Sequence, residues 1–344
     1  MQARLGSLVF VLVAFAGSAG AATLYVGNQG IDSGSCGSSS DPCRSISRAI
    51  TNAGSGDTII VGPGRYGDLD EDGTYGETGE EAAEVNTGCD CMVNIDKRLT
   101  LRSVNGAAAT IIDVSGGNIS GVGIQASGVV FGSAKALGFS IVRADENGVE
   151  VPGSVNDVTI AGNVANDNDG DGFRIDGFRH TLANNRALRN EETGFDIIGS
   201  NNTLSDNVAA ENGDDGFVVA GNDHSFLRDV STANNRGFLL AGGRHLLSSC
   251  AALGNREDGI LLLSAATARI EKSNIFGNDA EGAENCGLSN SSGNVITATG
   301  NYWGSSVGPG PEPADQVCNS GGGSITDLTP ISSKEFKLKL KPVL

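Results

Sequence analysis

The sequence predicts an all-β solenoid, and three observations predict it. A Gly-Phe or Gly-Ile dipeptide recurs at Gly172-Phe173, Gly194-Phe195, Gly216-Phe217, Gly237-Phe238 and Gly259-Ile260, at intervals of 22, 22, 21 and 22 residues. Asparagines keep the same step. One column runs Asn168, Asn190, Asn212, Asn234, Asn255 and Asn278, and another runs Asn163, Asn185 and Asn207 before continuing as Asp229 and Cys250. Composition agrees, since 51 of 344 residues are glycine and only 5% are aromatic, which suits neither a helical bundle nor a closely packed α/β enzyme. A period near 22 held across five units marks a stack of similar coils.

Each unit is too short for two helices. It reads as short strands such as "GFRID", "GFDII" and "GFVVA", broken by Asn- and Gly-rich turns. Coils stacked at the strand spacing of roughly 4.8 Å put like residues on like. Phe173, Phe195, Phe217 and Phe238 then form an internal aromatic stack, and the Asn columns become amide ladders. Ala165, Ala187, Ala209, Ser231 and Ala252 make a small-residue column, and Leu182, Leu204, Phe226 and Leu247 an apolar one. Cys250 holds a ladder position, so it is expected to be buried and unpaired.

Residues 1–21 read as a secretory signal. Arg4 supplies the positive start, Leu5 to Gly17 an apolar run too short to span a bilayer comfortably, and Ala19-Gly20-Ala21 a cleavage site. The expected location is therefore periplasmic or secreted, without membrane insertion. Residues 22–66 read as an N-terminal cap and first coil, with a capping helix started by Asp41 and Pro42 and stopped at Gly54. Residues 67–91, "GDLDEDGTYGETGEEAAEVNTGCDC", form an acidic inserted loop. Coils occupy 92–324, most clearly 161–278, and 325–344 is a C-terminal tail. Acidic residues outnumber basic ones by 41 to 23, a net −18 that repels nucleic acid and anionic lipid and suits cations. Export permits disulfides. Cys36 with Cys43, and Cys286 with Cys318, are the expected pairs, although sequence does not fix connectivity. Cys89 and Cys91 stand too close for a relaxed mutual bridge.

Two further segments carry a family resemblance. "LYVGNQGIDSGSCGSSSDPCRSISRAITNAGSGDTIIVGPGRY" (24–66) resembles the N-terminal segment of secreted bacterial β-helix proteins, and "GNYWGSSVGPG" (300–310) is similar to the segment that closes them. With the repeats, these resemble the pectin-lyase-like superfamily. The resemblance implies a single-stranded right-handed parallel β-helix with an N-terminal capping helix. It does not imply one activity, because this fold carries lyases, hydrolases, epimerases, adhesins and binding proteins. Polygalacturonase-like enzymes show Gly-His-Gly and Arg-Ile-Lys, and alginate epimerase-like enzymes Asp-Pro-His-Asp. This sequence has none of these.

Several groups could carry chemistry. Asp68, Asp70 and Asp72 before Gly73, and Asp167, Asp169 and Asp171 before Gly172, match the first half of a calcium loop. Neither completes it, because Gly79 and Phe178 stand where the bidentate Glu belongs, although Glu80 lies one residue past the former. The other reading of 167–171 is an acidic solvated turn. Alternation points Arg174 and Asp176 outward, and Asp196 lies one coil on beside Arg174. Asp176 and Asp196 are then diagonal neighbours about 8 Å apart at the backbone, within the window of roughly 6.5–9.5 Å for an inverting glycosidase pair. The alternative is a surface ion pair of small consequence. The Arg174/Asp196 column turns apolar at Val218, Leu239 and Leu261, a face expected to be covered by the tail, with a partner protein as the other reading. His180, His224 and His245 share one turn column with Asn202, expected to be a polar ladder in which His replaces Asn, with a metal shared by His224 and His245 as the other reading.

The expected function is a non-catalytic polysaccharide- or surface-binding module with structural calcium. The alternative is a hydrolase or calcium-assisted lyase acting on an acidic extracellular polysaccharide through Arg174, Asp176 and Asp196.

Overall fold

A computed structural model describes residues 20–85, 89–279, 286–311 and 313–338. Most of the expected signal segment and the last six residues lie outside them. Among the described residues, three sheets of twelve, ten and nine strands run the length of the molecule, and every pairing between named strands is parallel. The chain visits the sheets in rotation. Phe173–Phe178 belongs to the ten-stranded sheet, Thr181–Ala183 to the twelve-stranded sheet and Arg186–Leu188 to the nine-stranded sheet, and Phe195–Ser200 then begins the next coil.

Register follows the sequence columns. Phe173 pairs with Phe195, Phe195 with Phe217 and Phe217 with Phe238, and their rings stack at 4.8, 4.9 and 4.7 Å between centroids. The ladders run through the turns, fully buried. Asn168 Nδ2 donates to Asn190 Oδ1 at 2.8 Å, and the chain continues through Asn212, Asn234 and Asn255 to Asn278, whose amide donates to Asp315 at 2.8 Å. The amides of Asn168, Asn190, Asn212, Asn234 and Asn278 also donate to a backbone carbonyl, as Asn190 does to Ala165 at 3.2 Å. A buried turn can persist only when its backbone groups are paired, which explains the recurrence of Asn there. The opposite side of many turns uses a left-handed residue. Asp157, Arg179, Asp223 and Arg244 all have φ near +60°, and Arg179 and Arg244 each ion-pair with the aspartate of a neighbouring coil. Cys250 is buried and free.

The ends differ from expectation in three places. The capping helix spans Ile46–Asn52 and starts at Ser45, whose Oγ accepts from the Arg48 N–H at 3.1 Å, rather than at Asp41. Pro42 and Cys43 are held back by the first strand, since the Cys43 N–H donates to the Tyr25 carbonyl and Cys43 is bridged to Cys36. Cys89 and Cys91 form a disulfide, contrary to the expectation from their spacing. Asp90 between them has φ +47°, which folds the chain so that the Cα atoms are 5.2 Å apart, inside the ordinary disulfide range. Cys286 is bridged to Cys318.

The third difference is the tail, whose described part, residues 325–338, does not cover Val218, Leu239 and Leu261. Its strand Ile325–Asp327 extends the twelve-stranded sheet, and the chain moves on in coil order to the outside of the nine-stranded sheet. There the Phe336 N–H donates to Asn274 Oδ1 and the Asn274 amide donates back to the Phe336 carbonyl, both at 2.9 Å. Leu338 packs on Val208, Val230 and Ala251. Phe336 and Leu338 are each half-buried, so deleting residues 334–344 should cost about 1–3 kcal/mol and raise binding of a hydrophobic dye. An unchanged melt would mean that the tail does not hold this position in solution.

Candidate functional site

The outward side of the ten-stranded sheet gathers the charged candidates. Along Phe173–Phe178 burial alternates, with Phe173 and Ile175 inside and Arg174 outside. In register, Glu150, Arg174 and Asp196 are successive rungs, followed by Val218, Leu239 and Leu261. The last three are half-exposed. Arg174 Nη1 lies 3.6 Å from Asp196 Oδ2 and 3.7 Å from Asp171 Oδ2, so one half-exposed guanidinium sits between two carboxyls. Asp176 stands opposite Ile198 and is half-buried. The pair expected at 176 and 196 is thus joined by a carboxyl from the preceding turn.

Electrostatics separates these carboxyls. Asp171 is 4% exposed, and its Oδ1 accepts from the Thr193 N–H at 2.9 Å. Burial, followed by the negative charge of Asp196, pushes its pKa up to about 7. Burial also raises Asp196, with Arg174 opposing and Asp176 adding to the shift. Sequence spacing groups Asp171 with Asp167 and Asp169 as half of a calcium loop. The signal that it belongs here was its column, Asn147, Asp171, Thr193 and Asp215, which is the position just before the Gly that opens each long strand.

The two aspartate triplets fare differently. Asp167 makes a bidentate ion pair with Arg189, at 2.9 and 3.0 Å, and Asp171 turns toward Arg174, so Asp167, Asp169 and Asp171 do not converge as a ligand set. In the inserted loop, Asp68 and Asp70 converge with Glu80, and Asp70 and Asp72 with Glu77, all ligand atoms of each group lying within 4.8 Å of one another. Asp68 Oδ1 and Oδ2 accept from the Glu71 and Gly73 N–H groups at 2.8 Å. A cleft of about 830 Å³ separates this loop from the capping helix, lined in part by Arg44, Arg48, Glu77, Glu80 and Lys97.

The histidine column is a turn ladder. The Val158 N–H donates to His180 Nδ1 at 3.2 Å, and His180 Nε2 lies 3.0 Å from the Asp176 carbonyl. His224 and His245 stack at 5.4 Å, and burial depresses the pKa of His224 to about 4. Among the described residues no histidine joins a potential metal-ligand group.

Residues 100–247 match the family model described as "Right handed beta helix region". The structure is similar to that of a rhamnogalacturonan lyase, with a TM-score of 0.66 at 14% identity over 92% of this chain and 89% of that one. It is also similar to pectate lyase Pel9A, with a TM-score of 0.61 at 18% identity over 91% and 81%. No curated protein matches the sequence. The chain folds as a right-handed parallel β-helix, the fold it shares with these two lyase structures. No helix among the described residues is long and apolar enough to cross a membrane.

Proposed function

We propose that this protein is an exported, non-catalytic polysaccharide-binding module that carries structural calcium. Its saccharide-facing surface is the outward side of the ten-stranded sheet from Glu150 to Leu261. The observation that carries this reading is that Arg174, flanked by Asp171 and Asp196, leads directly into three half-exposed apolar rungs, Val218, Leu239 and Leu261. Such a strip offers charged hydrogen-bonding partners for hydroxyls and carboxylates, and an apolar floor for sugar ring faces. A solenoid face is long and regular, which suits an extended polymer. The two similar structures, a rhamnogalacturonan lyase and a pectate lyase, make acidic polysaccharides the polymers to test first. At a net charge of −18, an acidic polymer needs Arg174 and bridging cations to approach.

Affinity electrophoresis in gels containing polygalacturonate, alginate or a neutral glucan tests the reading. The wild type should be retarded by at least one uronate polymer. Arg174→Ala should weaken this about tenfold, in line with the loss of a charge-assisted contact, with an unchanged melting temperature. No retardation in any gel, or equal retardation of the variant, would reject it.

One observation favours a second reading as an enzyme. Asp171, near-buried with its pKa at about 7, and the more exposed Asp196 form an unequal carboxyl pair, the arrangement that supplies an acid and a base from like groups. New reducing ends or unsaturated uronates from those polymers, abolished by Asp171→Asn, would establish catalysis. Their absence with wild-type protein leaves the binding role.

A further inference from the structure

We propose that the inserted loop holds a calcium ion between Asp68, Asp70 and Glu80, and that the ion fastens the loop to the N-terminal cap. This deepens the calcium part of the function proposed above and is independent of the saccharide face.

The ligand geometry fits. The three carboxyls place oxygens within 4.8 Å of one another, about twice the calcium–oxygen distance of roughly 2.3–2.6 Å. Magnesium prefers shorter bonds, strict octahedral geometry and retained waters, so a set of three carboxyls suits calcium better.

Burial supplies an independent indication. Glu80 is 6% exposed; its Oε1 accepts from the Leu69 N–H at 2.9 Å, while its Oε2 is buried with no hydrogen-bond partner. A carboxylate oxygen in that state is costly unless something positive faces it. None of the described ion pairs includes Asp68, Asp70 or Glu80. Arg65 and Arg143 are engaged with Glu71 and Asp113, and Arg44, beside Gly79, lies over the Tyr66 ring at 5.7 Å. Asp68 is fully buried, and its two backbone contacts fix its orientation. The outer group, Asp70, Asp72 and Glu77, clusters beside it and adds to the negative field. A cation at the inner group answers all of these charges at once.

The link to the cap runs through the next residue. Glu81 is 1% exposed and reaches the start of the capping helix. Its Oε1 accepts from the Ile46 N–H at 2.7 Å, and its Oε2 from the Ser47 N–H and hydroxyl at 2.7 and 2.6 Å. Holding Glu80 on an ion therefore holds Glu81 on the helix. At the other side of the loop, Glu71 ion-pairs with Arg65 and Arg143, both at 2.8 Å. The loop is tied at both sides, and the ion would close the middle.

The test is a titration of chelator-treated full-length mature protein with calcium chloride alone, followed by calorimetry and thermal melting, with magnesium chloride in parallel and no polysaccharide present. Wild type should bind a single equivalent of calcium, melt several degrees higher when saturated, and respond more weakly to magnesium. Glu80→Gln should weaken calcium binding by about tenfold or more. Asp70 is exposed, so Asp70→Asn tests the same site without touching buried structure and should weaken binding likewise. Calcium should also slow cleavage within residues 67–85 by a glutamate-specific protease in wild type but not in Asp70→Asn. Wild type that binds no calcium would overturn the proposal, as would both variants titrating like wild type. Retained polysaccharide binding in either case would show that the saccharide reading stands separately.

Discussion

Truncating Phe217 to alanine is expected to destabilise the central coils by about 3–5 kcal/mol, the cost of emptying a large aromatic site in a packed core. Phe217 is fully buried, lies between Phe195 and Phe238 at 4.9 and 4.7 Å, and meets Phe226 edge-on at 6.1 Å. Neighbouring rings cannot close the gap, because each is held at the rung spacing by its own strand. A solenoid's coils contact mainly their neighbours, so the loss should appear first as local opening. Hydrogen exchange of amides in 195–240 should accelerate more than those near the caps, and the urea midpoint should fall. Leu227→Ala, at an exposed position, serves as a control. Equal shifts for both variants would mean that the stack contributes no more than surface contacts.

What was legible in the sequence was whatever the period repeats. The Phe stack, the two amide ladders, the placement of Asp196 beside Arg174 and the buried Cys250 all follow from one register. Stacking identical coils leaves no freedom to place them otherwise. The parts that were not legible depend on non-repeating contacts. The start of the capping helix was set by the first strand and by Glu81, which comes from 35 residues away in sequence. The Cys89–Cys91 bridge depends on a left-handed Asp90, which spacing alone does not reveal. The tail's route was decided by which sheet its last strand joins. At the candidate site, the repeat register alone makes Arg174 and Asp196 neighbours, whereas sequence spacing groups Asp171 with Asp167 and Asp169. In three dimensions the turn directs Asp167 to Arg189 and Asp171 to Arg174. Alternating aspartates on a tight turn do not share a side unless the loop curls around a centre, as the loop at Asp68 does.

Replacing Asp229 with asparagine should stabilise the protein at pH 8 and lose that advantage at pH 4. Asp229 stands where the second ladder calls for Asn, and it is fully buried. Its Oδ1 accepts from the Asn207 N–H and side-chain amide at 2.9 and 2.8 Å, and its Oδ2 from the Leu227 N–H at 3.0 Å. Burial outweighs these bonds and pushes its pKa up to about 7. The sign follows from linkage. Below about pH 4 the carboxyl is protonated in both folded and unfolded chains. Between about pH 4 and 7 the unfolded chain ionises while the folded chain keeps its proton, so stability falls as pH rises, by up to about 4 kcal/mol at and above pH 7. Asn207 keeps its acceptor in the variant, because the asparagine oxygen can take the place of Oδ1. The Leu227 N–H is the group that loses, at a cost of about 1–3 kcal/mol, which leaves a net gain at pH 8 and a net loss at pH 4. The exposed carboxyls Asp157 and Asp223, held low by Arg179 and Arg244, pull the whole-protein pH profile the opposite way. The informative quantity is therefore the difference between variant and wild type. A difference in melting temperature that changes sign between pH 4 and pH 8 would establish a buried, proton-holding Asp229. A pH-independent difference would show that Asp229 ionises in the fold as freely as in the unfolded chain.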